Sequence, residues 1–218
     1  MKVSIHNYET HQQASVAAAE AIAAEMRRLI AERGRAIGIF SGEAAQAELL
    51  AHLVNAEAIE WTRVIGFHTF ELLGMEEDAP TSQRKFLLDH LVCRVPMAEF
   101  HGLRGEAANP EAVCLNYAEL LKKRPPDFAV LGIGEGGKIG SGNCDIRDSA
   151  TVKLTDSTIT LTIPTLMACR SLFVLAPSQA TTEDELSDTC PASILRTHPN
   201  AHFFEAGKPE CDEKVTLR

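Results

Sequence analysis

No apolar run in this 218-residue chain approaches the roughly 18 residues that a membrane-spanning helix needs, so no membrane role is expected. The opening residues Met1-Lys2-Val3-Ser4-Ile5 lack the pattern of a secretory leader and read instead as a strand. A basic surplus is missing too: 21 Lys and Arg stand against 30 Asp and Glu, a net charge of −9. That argues against a broad nucleic-acid surface, which needs a cationic footprint. A small anionic ligand stays open, because a local pocket can oppose the global charge. The six cysteines, Cys93, Cys114, Cys144, Cys169, Cys190 and Cys211, are scattered and form no C-x-x-C pair. Free thiols in a cytoplasmic protein are expected rather than a disulfide framework. Neither these cysteines nor the eight histidines show metal-ligand spacing, so no metal is expected. Internal repeats and low-complexity tracts are absent as well.

What is present is an alternation of strand-like and helix-like segments. Apolar residues make up 45% of the chain, enough to bury a sizeable core, and the length suits a single domain over residues 1–218. Lys2 to Ile5 reads as a short strand. His11 to Glu32 reads as an Ala-rich amphipathic helix, with Thr10 as its N-cap and Gly34 as its stop. Ala36 to Phe40 and Arg63 to Phe67 are buried strands around a helix from Ala44 to Val54. Helices follow over Lys85 to Val92 and Glu111 to Lys122. Pro125-Pro126 then punctuates the chain before a strand over Phe128 to Ile133. Thr158 to Ile163, Leu172 to Ala176 and Ala201 to Glu205 are further strands, with a short helix at Ala192 to Arg196. Continuous apolar strands alternating with helices favour an α/β fold with a mainly parallel sheet covered on both faces.

Ligands of such folds sit beyond the C-terminal strand ends, which directs attention to three segments. In Ser41-Gly42-Glu43-Ala44-Ala45, a strand, a turn and a helix N-terminus can cradle an anion on backbone N–H groups, or form only a tight turn. Glu43 there either repels a phosphate or is a first-turn Glu favoured by the helix dipole. In Phe67 to Gly74, His68 and Glu71 are the proton-transfer candidates. In Gly132-Ile133-Gly134-Glu135-Gly136-Gly137-Lys138-Ile139-Gly140, five glycines allow close backbone approach. Its spacing fits neither a Walker loop nor a dinucleotide fingerprint, so no such cofactor is expected. Lys138 can neutralise an anion, act as a desolvated nucleophilic amine, or stand solvated on its loop.

Taken in order, these segments resemble the glucosamine-6-phosphate deaminase and 6-phosphogluconolactonase superfamily. Leu131 to Ile139 is similar to the family's L-G-[IL]-G-x-[ND]-G-H-[IT] motif. Phe67 to Gly74, with Pro80-Thr81-Ser82 after it, resembles the deaminase F-x-x-D-E-Y-V-G and P-x-S segments. Ser41-Gly42 falls on the [ST]-G-G-[ST]-P phosphate loop, and Pro191 to Leu195 with His198-Pro199 on the P-A-S-x-L and H-P segment. Ile159 to Gln179 resembles the L-T-x-P-x-L…A-R…V-x-G-x-x-K stretch.

The resemblance implies a three-layer modified Rossmann-type fold and a sugar or sugar phosphate bound over the strand ends. It implies no cofactor, and it leaves a homo-oligomer open. It places Ser41, Gly42, Gly134, Glu135, Gly136 and Gly137 against the ligand, and Glu71 and Lys138 nearest the chemistry. It also exposes losses. Where the deaminases have a proton-shuttling Asp, this chain has Phe70. The motif's second Asp or Asn is Gly136 and its His is Lys138. Asn143 falls where the deaminases place a Glu. Glu43, Ala44 and Ala45 replace three phosphate-loop residues, and Ala180 replaces a later Lys. A phenyl ring carries no titratable proton. The expectation is therefore a divergent member with lost or altered catalysis that binds a sugar or related metabolite. An active isomerase, deaminase or lactonase with a remodelled site, and a non-catalytic partner-binding module, are the alternatives.

Overall fold

The computed structural model describes residues 3–134, 137–140, 147–177 and 191–207. The N-terminal strand β1 spans Ser4–Tyr8, three residues beyond the expected end, because its whole length pairs with the last strand of the chain. Helix α1 (His11–Arg33) has the expected caps. The Thr10 hydroxyl accepts from the Gln13 N–H at 3.2 Å, and the Gln13 side chain returns to the Thr10 N–H, a reciprocal capping box. Such a cap is worth about 1 kcal/mol. Gly34 closes the helix in the left-handed conformation, donating its N–H to the Ile30 carbonyl.

Strand β2 (Ala36–Phe40) leads through one 3₁₀ turn (Ala44–Gln46) into α2 (Ala47–Val54), so the helix expected from Ala44 begins as a tighter turn. Then come β3 (Val64–His68), β4 (Phe70–Leu72), α3 (Gln83–His90), β5 (Glu99–His101), α4 (Pro110–Lys123) and β6 (Phe128–Gly132). The described chain continues with β7 (Val152–Leu154), β8 (Thr158–Leu161), α5 (Ile163–Met167), β9 (Ser171–Pro177), α6 (Pro191–Leu195) and β10 (Ala201–Ala206).

The main sheet runs β1-β10-β9-β6-β2-β3-β5, and every neighbouring pair is parallel. Alternation along a strand sends its side chains to opposite faces. On β2, Ala36 and Phe40 join the apolar cluster under α1, α2 and α3, whereas Ile37 and Ile39 join the cluster under α4, α5 and α6. On β6, Phe128 and Val130 share the first cluster, Ala129 and Leu131 the second. A parallel sheet with both faces covered is the α/β architecture expected from the sequence.

One strand assignment needed a change of place. Of the expected strand Thr158 to Ile163, Thr158–Leu161 forms β8 and Ile163 instead opens α5; β8 lies in a separate three-stranded antiparallel sheet, β4-β8-β7. Its partners β4 and β7 are three residues each, too short for a period-2 pattern to declare itself, and β5 is equally short. This small sheet carries the residues after β3 over the ends of the main strands.

Candidate functional site at the strand ends

The loop after β2 is held tightly. Ser41 is buried, and its N–H donates to the Val130 carbonyl at 3.0 Å, extending the β2–β6 pairing by one residue. Gly42 has no room for a side chain: a Cβ there would stand 2.3 Å from the Gln83 carbonyl oxygen at the start of α3. Its place in the sequence pattern therefore has a packing reason as well as any ligand reason. The Ser41 hydroxyl donates to the Glu43 carboxylate at 3.1 Å. That carboxylate and the Gln46 amide fill the space above Gly132, where a Cβ would lie 2.4 Å from Glu43 Oε2 and 2.9 Å from Gln46 Nε2. Burial drives the Glu43 pKa up to about 7, against the lowering effect of the Ser41 bond. A carboxyl that titrates near neutrality can give or take a proton, and in its ionised form it repels a phosphate.

The second segment separates its two candidates. His68 ends β3, fully buried, and neither ring nitrogen has a hydrogen-bond partner. Desolvation, then the nearby Arg84 charge, lower its pKa to about 3, so the ring is neutral at physiological pH. Its backbone is clamped by Tyr117 of α4: the His68 N–H donates to the phenol oxygen at 2.7 Å. The phenol lies within hydrogen-bond distance of the His68 and His101 carbonyls, at 3.0 and 2.8 Å. Glu71, equally buried, caps α3 from outside. Its carboxylate accepts from Ser82 Oγ at 2.7 Å, from the Arg84 N–H at 2.9 Å, from the Leu72 N–H at 3.0 Å and from the Gln83 N–H at 3.2 Å. A negative charge on the free N–H groups of a helix start is a favourable arrangement in itself. The geometry thus gives Glu71 a fixed structural task at this position.

In the third segment, Gly134 and Lys138 form a turn: the Gly134 N–H donates to the Lys138 carbonyl at 2.9 Å, and the Gly137 N–H donates to the Gly134 carbonyl at 3.2 Å. Gly137 is buried, with φ at +71°. Lys138 is exposed and makes no bond to Glu71, so these two catalytic candidates are not brought together. Glu135 and Gly136 lie outside the described residues, as do Asn143 and Ala180. Phe70, 7% exposed, packs on Gly140, where a Cβ would stand 3.3 Å from the ring. The space left between Ser41, Thr69, Ile139, Gly140, Thr160 and the start of α5 is about 10 Å³, the volume of a single water at most.

Sequence reasoning missed Gln46 and Thr69. The Gln46 amide and the Thr69 hydroxyl are buried without partners at this same edge. A signal for Gln46 existed: it stands three, four and seven residues before Leu49, Leu50 and Leu53, on the buried face of the helix. Among the described residues no group of three or more His, Cys, Asp or Glu could hold a metal ion. Nor is any of their helices long and apolar enough to cross a membrane.

The fold has counterparts among solved structures. A monomeric glucosamine-6-phosphate deaminase superposes with a TM-score of 0.79 at 18% identity, covering 94% of this chain and 97% of that one. The 6-phosphogluconolactonase of Shewanella baltica gives 0.80 at 22% identity, covering 94% and 98%. In sequence, the glucosamine-6-phosphate deaminase of Listeria welshimeri is 29% identical, covering 75% of this chain and 81% of its own length. That of Exiguobacterium is 25% identical, covering 76% and 77%. The family model described as glucosamine-6-phosphate isomerases/6-phosphogluconolactonase matches residues 9–184. By that match over most of its length, the chain belongs to the glucosamine-6-phosphate isomerase and 6-phosphogluconolactonase family.

Proposed function

We propose that this chain is a member of the family that has lost the ordinary deaminase and lactonase reactions and binds a sugar or related metabolite at its strand ends. One observation carries the reading. Phe70 occupies the position of the deaminases' proton-shuttling Asp, and its ring is packed on Gly140 rather than turned to solvent. The remaining candidates support it. Glu71 spends its carboxylate on the start of α3. His68 is neutral and enclosed, and Lys138 is exposed. General acid–base work needs a titratable group within reach of the substrate, and none of these three supplies one there.

The binding half rests on the uncommitted polar groups. The Gln46 amide and the Thr69 hydroxyl offer donors and acceptors of the kind sugar hydroxyls use. The void beside Thr69 is about 10 Å³, so a sugar enters only when its lining moves, including Gly140, on which Phe70 packs. The apparent affinity is then reduced by the fraction of molecules that are closed. A thermal-shift screen of glucosamine, glucose, glucosamine 6-phosphate and 6-phosphogluconate tests this half. A saturable rise in melting temperature with at least one of them is expected. No shift with any sugar, alongside a co-purifying protein, favours a partner-binding module instead.

A second reading is favoured by Glu43. A carboxyl with a pKa of about 7, above the end of β6, is poised for proton transfer. On this reading the chain is an active enzyme on a related carbohydrate, with Glu43 as its acid–base group. If a turnover is found and Glu43→Gln abolishes it without loss of stability, the second reading replaces the first.

A further inference from the structure

The opposite edge of the main sheet carries an arrangement that the strand-end site does not use. Three neighbouring strands, β9, β6 and β2, start side by side. Asp127 stands just before the middle one and joins all three. Its N–H donates to the Ile37 carbonyl at 2.7 Å, and its side chain accepts the Ile37 N–H at 3.1 Å. Its own carbonyl accepts the Arg170 N–H at 2.7 Å. This pinning fixes the backbone on either side, with Arg35 just before β2 and Arg170 just before β9. Strands two places apart in a sheet are about 10 Å apart, within joint reach of two arginine side chains. Arg33, in the last turn of α1, adds a third guanidinium, paired to Asp127.

These residues line one cleft of about 310 Å³, with Pro125, Pro126 and Ala168 as its apolar walls. Its charged lining is three guanidinium groups against one carboxylate, an excess of two positive charges on a chain whose net charge is −9. The one carboxylate is nearly saturated. Asp127 is 3% exposed and already holds Arg33 and the Ile37 N–H, while Arg170 Nε stands 3.9 Å from it. Arg35 has no ion pair or hydrogen bond among the described residues. Like charges gathered around a shared cavity repel one another unless a counter-charge joins them. The guanidinium fork matches the oxygens of a phosphate with two parallel donors.

We infer that this cleft is a second binding site, at the N-terminal ends of the strands, for a small phosphate-bearing metabolite. Arg35 and Arg170 grip the phosphate from two sides, Arg33 adds its charge from α1, and the Pro125-Pro126 wall takes the apolar part of the ligand. The site is independent of the strand-end reading and stands whether or not the chain is catalytic.

The test titrates inorganic phosphate and phenyl phosphate into the protein by calorimetry, with sodium chloride at matched ionic strength as the control. Saturable binding of both is expected, with phenyl phosphate tighter. Arg35→Ala/Arg170→Ala is expected to weaken it at least tenfold, and Ser41→Ala to leave it unchanged. Arg35→Glu breaks no ion pair or hydrogen bond among the described residues, and a melting temperature equal to the wild type's checks that its loss of binding reads the site. A heat no larger than that of chloride overturns the inference. So does binding that survives in Arg35→Glu or disappears in Ser41→Ala.

Discussion

Two carboxylates stand at the same edge of the sheet, one after β2 and one after β3, in opposite circumstances. Glu71 is fully buried and receives four hydrogen bonds, three of them from backbone N–H groups. Glu43 receives one, from Ser41, and its pKa rises to about 7. Burial alone therefore does not decide whether an acidic residue is available for chemistry. The supply of donors does: a saturated carboxylate is held in place by the fold, and an undersupplied one keeps its proton. Glu71 is committed to the start of α3, whereas Glu43 holds a single bond and the Gln46 amide beside it holds none.

The contrast can be broken by mutation, beginning where the effect is greatest. Glu71→Ala removes the acceptor from the start of α3 and leaves N–H groups buried without partners. A loss of about 4 kcal/mol in urea unfolding is expected. A loss under about 1 kcal/mol would show that α3 does not depend on this carboxylate. Phe70→Ala removes the ring from Gly140 and should cost about 3 kcal/mol. The same change opens the crevice, so any sugar-induced rise in melting temperature should become larger than in the wild type.

Glu43 sharpens the comparison through pH. Its folded pKa, about 7, lies above its ordinary 4.5, so the folded state binds the extra proton between those values. Its contribution to stability is full below pH 4.5 and is lost as pH rises through 7, on the order of 2 kcal/mol in all. Glu43→Gln should flatten the wild-type fall in stability over that window. An unchanged slope would place the titrating group elsewhere. The smallest effect is expected at Gln46. Its amide is buried without partners, so Gln46→Leu should stabilise by about 1 kcal/mol. Destabilisation instead would reveal that the amide is satisfied by water or ligand.

Much of the frame could be read from residue order. Thr10, the Ala-rich face of α1 and Gly34 define the first helix to within one residue, because caps and period are local signals. The apolar runs of β2, β3 and β6 declare a covered parallel sheet for the same reason. The small antiparallel sheet was hidden, since three residues carry no period and its pairing joins residues far apart in sequence. The departures from the family motifs at Phe70 and Lys138 are visible as identities. What identity could not give is direction: that Glu71 faces the start of α3 and Glu43 faces Gly132 follows from tertiary packing. The arginine cleft was illegible for a related reason, because Arg33, Arg35 and Arg170 meet only through the adjacency of β2, β6 and β9.

The central claim is that the strand-end segments no longer run the family's ordinary chemistry. The most direct test is turnover of glucosamine 6-phosphate and of 6-phosphogluconolactone by the purified protein, with a family enzyme as positive control. The account predicts no rate above the uncatalysed background for either. A turnover number between about 1 and 10³ s⁻¹ on either one, as enzymes ordinarily show, would contradict it.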